Sequence, residues 1–212
     1  MVLELDAKAK KKIRMAEYHR LHKNEIRKRV YVRDLILKLE VLCHYSHGTM
    51  QCKHCPESDP AFLALDHIEG GGSAHRCLTH GRSYRWARSN NYPPIFQVLC
   101  HNCNWLKYFE EIKGTSPSAV NAQKLKAEVL SAYSNGNPEC AVCLIDDIRV
   151  LTIEHILGGG FQHRQRLGTG STRLYRHLRS EGFPSGYKVL CLNHNLGAIC
   201  LGPSQLPMLL AS

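Results

Sequence analysis

The chain has 212 residues, ten cysteines and 28 basic against 18 acidic side chains, a formal charge of +10. A length of this order holds one or two domains. No stretch approaches membrane-spanning length, which excludes a transmembrane helix, and the positive balance favours a polyanionic partner. The opening MVLELDAKAKKKIR has no apolar core of a secretory signal, so an intracellular location with reduced thiols is expected, in the cytoplasm or nucleoid.

In chain order, residues 7–46 read as helix, closing near Ser46-His47-Gly48. Its front, residues 1–37, is a basic helical arm that concentrates Lys10, Lys11, Lys12, Arg27, Lys28 and Arg29 with few acids and no Pro or Gly. Such a segment suits a phosphate backbone. The other reading is a solvated helix or tail; an anionic membrane surface fits less well, because the apolar face is thin. Residues 62–68 and 96–99 read as short strands around a Gly-rich turn and a short helix near 84–90, which Tyr92-Pro93-Pro94 stops. A helix follows Cys103 and ends at Gly114. Residues 115–125 are linker and helix start, with Ser116 or Ser118 as N-cap of a helix over 119–134. Strand 149–155, helix 171–181, strand 187–190 and a short helix after 192 repeat the scheme, and residues 201–212 form a tail with no readable role.

The repetition extends to single residues. CKHC at 52–55 recurs as CAVC at 140–143, and DHIEGGGSAHR at 66–76 as EHILGGGFQHR at 154–164, each 88 positions on. VLCHNCN at 98–104 recurs as VLCLNHN at 189–195, after a slip of three residues. A shared period across such different segments marks a duplicated structural unit. We place the two units at 38–114 and 126–200.

Units this small need a staple beyond their apolar core. Cys52, Cys55, Cys100 and Cys103 offer four thiolates in two CxxC pairs; Cys140, Cys143, Cys191 and His194 offer three and an imidazole. Both sets suit a closed tetrahedral structural zinc ion, so two Zn²⁺ are expected. A redox CxxC is the competing reading, but it leaves the matched sets unexplained. Cys43, Cys77 and Cys200 are left over as ordinary buried or partly exposed thiols.

Between the zinc pairs stand Asp66-His67, and directly after Cys103 stands Asn104. A carboxylate and an amide oxygen suit a hard divalent cation, beside which His67 can take a proton from water. Zinc knuckle, Asp-His, then a zinc knuckle ending in Cys-Asn resembles the HNH (His-Me finger) nucleases, of the phage-type recombination endonuclease VII kind. The resemblance covers about 41–108 and 129–198. It implies an α+β fold of two tandem ββα-metal modules behind the basic helix, and a phosphodiester-cleaving DNA endonuclease, phage- or mobile-element-encoded, that leaves a 5′ phosphate. Asp66 and Asn104 would hold catalytic Mg²⁺ or Mn²⁺, with His67 as general base. Glu154, His155 and Asn195 are the second module's counterparts.

Glu154 departs from the pattern, since its extra methylene moves the carboxylate by about an ångström, enough to cost roughly 10² in rate. The first module is therefore expected to cut and the second to be impaired or to bind DNA. Arg76 and Arg164 are candidate phosphate contacts, as is His75, which equally suits a surface or packing role. The glycines 70–72 are expected to permit a tight turn and close approach to nucleic acid. Trp105 and Tyr108 are expected to face the core. The partner is expected to be double-stranded or branched DNA, bound by a monomeric pseudo-dimer or a homodimer. A non-catalytic nucleic-acid-binding protein descended from an HNH nuclease is the alternative, and a zinc-stapled protein-interaction module a third.

Overall fold

A computed structural model describes residues 6–111, 116–168 and 170–200. The long N-terminal helix is two: α1 (Ala7–Leu21) and α2 (Lys23–Tyr45), broken at His22. No Pro or Gly marks that break. The His22 backbone N–H and ring Nδ1 both reach the Tyr18 carbonyl, and its ring stacks on Tyr18, which ends α1 from within. Asp6 caps the other end, accepting from Ala9 N–H at 2.7 Å. α1 buries none of its residues, and Ile13 and Met15 are exposed, as the lack of an apolar stripe leads one to expect. α2 differs. It runs on through residue 38 and buries Leu37, Val41 and Leu42 under the first module.

The first module then pairs β1 (Leu63–His67) antiparallel with β2 (Phe96–Cys100), with Asp66 opposite Gln97. Between them lie α3 (Gly72–Leu78) and α4 (Ser83–Ser89), and α5 (His101–Glu111) follows directly. The second module repeats this with α6 (Pro117–Ala132), β3 (Leu151–His155), α7 (Gly160–Leu167), α8 (Ser171–Ser180), β4 (Tyr187–Cys191) and α9 (Leu192–Cys200). Ser116 is the N-cap of α6, accepting from Ala119 N–H at 3.2 Å. Helices α3 and α7 were not expected, since Gly-Gly-Gly reads as loop. The tail at 201–212 and the expected helix end at Gly114 lie outside the described residues. The architecture is a mixed α+β fold with two small two-stranded sheets. No helix among the described residues is long and apolar enough to cross a membrane.

Each core is built at matching positions. α6 buries Leu125, Val129 and Leu130, the counterparts of Leu37, Val41 and Leu42. Tyr45 donates to the Pro93 carbonyl at 2.9 Å, and Tyr133 to the Pro184 carbonyl at 2.8 Å. Beside the second core lies half-buried Lys126, whose Nζ donates to the Arg149 carbonyl at 3.1 Å. Burial pushes that lysine down to about 8, against the pull of Asp147. An unfolded lysine keeps its proton to about pH 10.5, so between these values the unfolded chain holds more protons and stability rises with pH. Below about pH 8 the full cost remains. Lys126→Met should flatten that rise by roughly 1–3 kcal/mol, one pKa unit being about 1.4 kcal/mol. Urea midpoints of wild type and variant at neutral and alkaline pH measure the difference.

The modules meet through the first turns of α5 and α9. Asn102 N–H donates to Asn193 Oδ1 at 2.9 Å, and Asn193 N–H donates to Asn102 Oδ1 at 3.1 Å, both residues being buried. Each side chain thus satisfies an otherwise orphaned helix-start N–H of the other module. Asn193 Nδ2 also donates to Glu57 at 3.2 Å. Around this reciprocal pair the packing is unequal. Phe62 lies over Gly197, where an added Cβ would stand 2.4 Å from the ring. At the matching positions, Leu106 packs against the second core and Val150 replaces Phe62. Gly197→Ala is expected to cost about 1–3 kcal/mol by overpacking. Adding Phe62→Val should restore most of that loss, as read from thermal unfolding of the single and double variants.

Candidate active site and metal centres

The two cysteine sets close as expected. Cys52, Cys55, Cys100 and Cys103 bring their sulfurs within 4.8 Å of one another, as do the ligand atoms of Cys140, Cys143, Cys191 and His194. Cys55 and Cys100 sulfurs are 3.7 Å apart and Cys143 and Cys191 sulfurs 3.8 Å. Tetrahedral zinc with bonds of about 2.3 Å separates its sulfurs by about 3.8 Å. His194 presents Nδ1 to Cys140 and Cys191 at 3.6 and 3.2 Å. Both clusters could hold structural zinc.

The knuckle backbone prepares these thiols for ionisation. Burial opposes ionisation of Cys52, but N–H groups of Cys100, His54 and Cys55 outweigh it and hold its pKa below the usual thiol value. Its neighbours cannot follow without an ion. Burial, then the Cys52 charge, pushes Cys100 up to about 11, and Cys103 is raised as well by burial and Cys100. A dication removes that conflict. Cys43 and Cys77 are exposed thiols; the side chain of Cys200 lies outside the described residues.

Asp66 and His67 end β1, facing α5. Asp66 Oδ2 accepts from Gln97 Nε2 at 2.8 Å and from Lys107 Nζ at 2.9 Å. Lys107 also donates to the His67 and Ile68 carbonyls, pinning the strand end to α5. Asn104 lies one turn before Lys107, hence on the same helix face. In the second module the matching pair touches: Asn195 Nδ2 donates to Glu154 Oε2 at 2.7 Å. No lysine matches Lys107, since that position is Ala198.

His67 Nε2 is 2.9 Å from His75 Nδ1, and His155 Nε2 is 2.8 Å from His163 Nδ1. His75 therefore turns inward and supports His67, instead of reaching for phosphate; Trp86 packs on it with ring centroids 4.4 Å apart. In the second module His177 replaces Trp86, 5.3 Å from His163, and the Tyr187 hydroxyl also approaches His163 Nδ1 at 3.4 Å. Burial, then the neighbouring His75, keeps the His67 pKa below the usual imidazole value, against the pull of Asp66. Burial does the same for His155 against Glu154.

The glycines act here too. Gly71 and Gly159 carry φ of 77° and 84°, left-handed conformations that end the turn and start α3 and α7. At Gly72 and Gly160 a Cβ would come 3.0 Å from Nδ1 of His67 and of His155. The close approach is thus to the histidine ring itself. Arg76 and Arg164 are exposed on α3 and α7, beside these pairs. Trp105 and Tyr108 do not face the core: they are 41% and 51% exposed and lie against each other on the outer side of α5, whose inner side is taken by Asn104 and Lys107. The arm residues Lys10, Lys11, Lys12, Arg27, Lys28 and Arg29 do not form part of either site.

For a magnesium ion, the donor character of Asp66 and Asn104 fits, and Asp66 Oδ1 has no hydrogen bond among the described residues. The Lys107 ammonium on the other oxygen already offsets part of the carboxylate charge. Compared with known proteins, the chain matches no family model, no curated protein and no solved structure.

Proposed function

We propose that the chain is a metal-dependent DNA endonuclease of the HNH type, with the first module cutting and the second holding the substrate. The observation that carries this reading is the histidine pair at each strand end. It is placed beside an acid and an asparagine and built the same way twice. In both modules a side chain at Gly72 or Gly160 would press on Nδ1 of the strand-end histidine, and glycine spares that nitrogen the contact. The resemblance to the endonuclease VII kind adds direction and product.

With Nε2 of His67 donating to His75, Nδ1 is bare and accepts a proton from water. That water oxygen bonds to phosphorus as the P–O3′ bond breaks, leaving a 5′ phosphate and a 3′ hydroxyl that takes its proton from solvent. Asp66 and Asn104 would hold the divalent cation, which when bound offsets charge on the phosphate and leaving oxygen. Gln97 and Lys107 fix the Asp66 carboxylate for that task. His75, backed by Trp86, positions the base. In the second module the longer Glu154, the additional Tyr187 hydroxyl and the missing lysine all depart from this arrangement.

A second reading has one observation in its favour. Lys107 already pairs with Asp66, which suits a nucleic-acid-binding protein without catalysis. Nicking of supercoiled plasmid with Mg²⁺ or Mn²⁺ separates the two. Metal-dependent nicks support the enzyme; none on plasmid or four-way junctions, with duplex binding intact, leaves the binding protein.

A further inference from the structure

The second helix after each glycine turn, α4 in one module and α8 in the other, carries the same outward residues. Residues 82–89 read RSYRWARS and 173–180 read RLYRHLRS, so Arg82, Arg85 and Arg88 recur as Arg173, Arg176 and Arg179. The inward positions differ: Trp86 and Ala87 answer to His177 and Leu178. All six arginines are exposed. Their three-residue spacing sets them along one flank of the helix. Arg88 pairs with Glu40 at 3.1 Å and Arg179 with Glu128 at 3.2 Å. The other four have no ion pair among the described residues.

Like charges this close repel one another and weaken the free fold. Beyond the ion pairs of Arg88 and Arg179, stability therefore does not explain why two modules with different inner faces share the other four outer arginines. The neighbouring helix deepens the pattern. α2 sets Arg29 and the Asp34-paired Arg33 across a groove from the α4 arginines, and α6 sets Lys124, with Glu128 beside it, across from Arg176 and Arg179, so each groove keeps a basic excess.

We propose that the α2–α4 groove and its α6–α8 twin are two phosphate-backbone clamps that grip one DNA duplex outside the histidine sites. This rests on the nucleic-acid reading above and assigns it a surface. Guanidinium forks match phosphate oxygens in pairs, and contacts of that kind position a duplex without reading its sequence. Each clamp is joined to a catalytic pair. Trp86 on α4 packs against His75, and His177 on α8 against His163, so DNA held on the outer face is set at a fixed offset from His67 and His155.

The test uses full-length, zinc-loaded protein and a short DNA duplex titrated between about 50 and 200 mM salt. Arg82→Gln with Arg85→Gln, and Arg176→Gln with Arg179→Gln, should each weaken binding about tenfold and lower the slope of log affinity against log salt by roughly one to two. The fourfold variant should combine both losses. Lysine at the same positions should keep most of the slope while losing affinity, because the charge remains and the fork is gone. Zinc content and thermal midpoint should match wild type in the lysine variants. Unchanged affinity and slope in the glutamine variants overturn the clamps while leaving the DNA-binding reading in place. Lysine variants that behave like glutamine also overturn them. A wild type that binds no duplex overturns both.

Discussion

Stripping the bound metal with a strong chelator at neutral pH is expected to unfold both modules. Cys52 and Cys100 belong to the same small core as Leu42, Leu63, Val98 and Leu99, and Cys140 and Cys191 belong to the second. The ligands are thus the floor of each core, not an ornament on its surface. A structural zinc site contributes about 10 kcal/mol or more at neutral pH, and a whole domain's stability is only about 5–15 kcal/mol. Nothing else in modules this small replaces that share. Circular dichroism and limited proteolysis with and without chelator measure the loss, and elemental analysis should find close to two zinc ions per chain. Cys52→Ser should reduce that to about one and leave α6 to α9 the more protease-resistant half. A fold that survives chelation with no zinc bound removes the staple from the account.

The second large effect is at His67. His67→Ala should lower metal-dependent nicking by about 10²–10⁴, the contribution of a positioned general base. Zinc content and thermal midpoint should stay close to wild type, because the ring packs at a strand end and not among the fully buried residues. His155→Ala should change nicking by less than about tenfold. The reverse pattern, with nicking lost only in His155→Ala, moves the working site to the second module, where Asn195 already meets Glu154. A positioning role for His75 shows differently. His75→Ala should lower the rate while shifting the pH profile, since it removes the partner of His67 Nε2.

The repeat and its ligand sets could be read from the sequence because they depend on residue identity at fixed spacing, which folding leaves intact. CxxC pairs that serve one ion must bring their ligand atoms together, and both sets do. Other features depended on tertiary partners. Helices α3 and α7 are seven and eight residues long and begin with glycine, so local propensity argues against them. Each is tied to its strand end through a histidine, His75 to His67 and His163 to His155, a contact no local pattern shows. The outward turn of Trp105 and Tyr108 depended on Lys107 and Asn104 claiming the inner side of α5. Lys107 itself gave no pattern signal, since one lysine in a helix usually ends in solvent. The arginine triplets were visible in the sequence, but only once the three-residue slip was applied to align 82–89 with 173–180.

The unequal packing of Phe62 on Gly197 and of Leu106 on the second core, to which Val150 belongs, bears on how this molecule can assemble. Two copies of the first module meeting in the same way would set Phe62 against Leu106 twice, and both contacts would be overfilled. Two copies of the second would set Val150 against Gly197 twice, leaving a hollow in both. Only the mixed pairing fills its space. The bulk lost at one contact reappears at the other, a complementarity that favours the pairing of unlike halves within one chain.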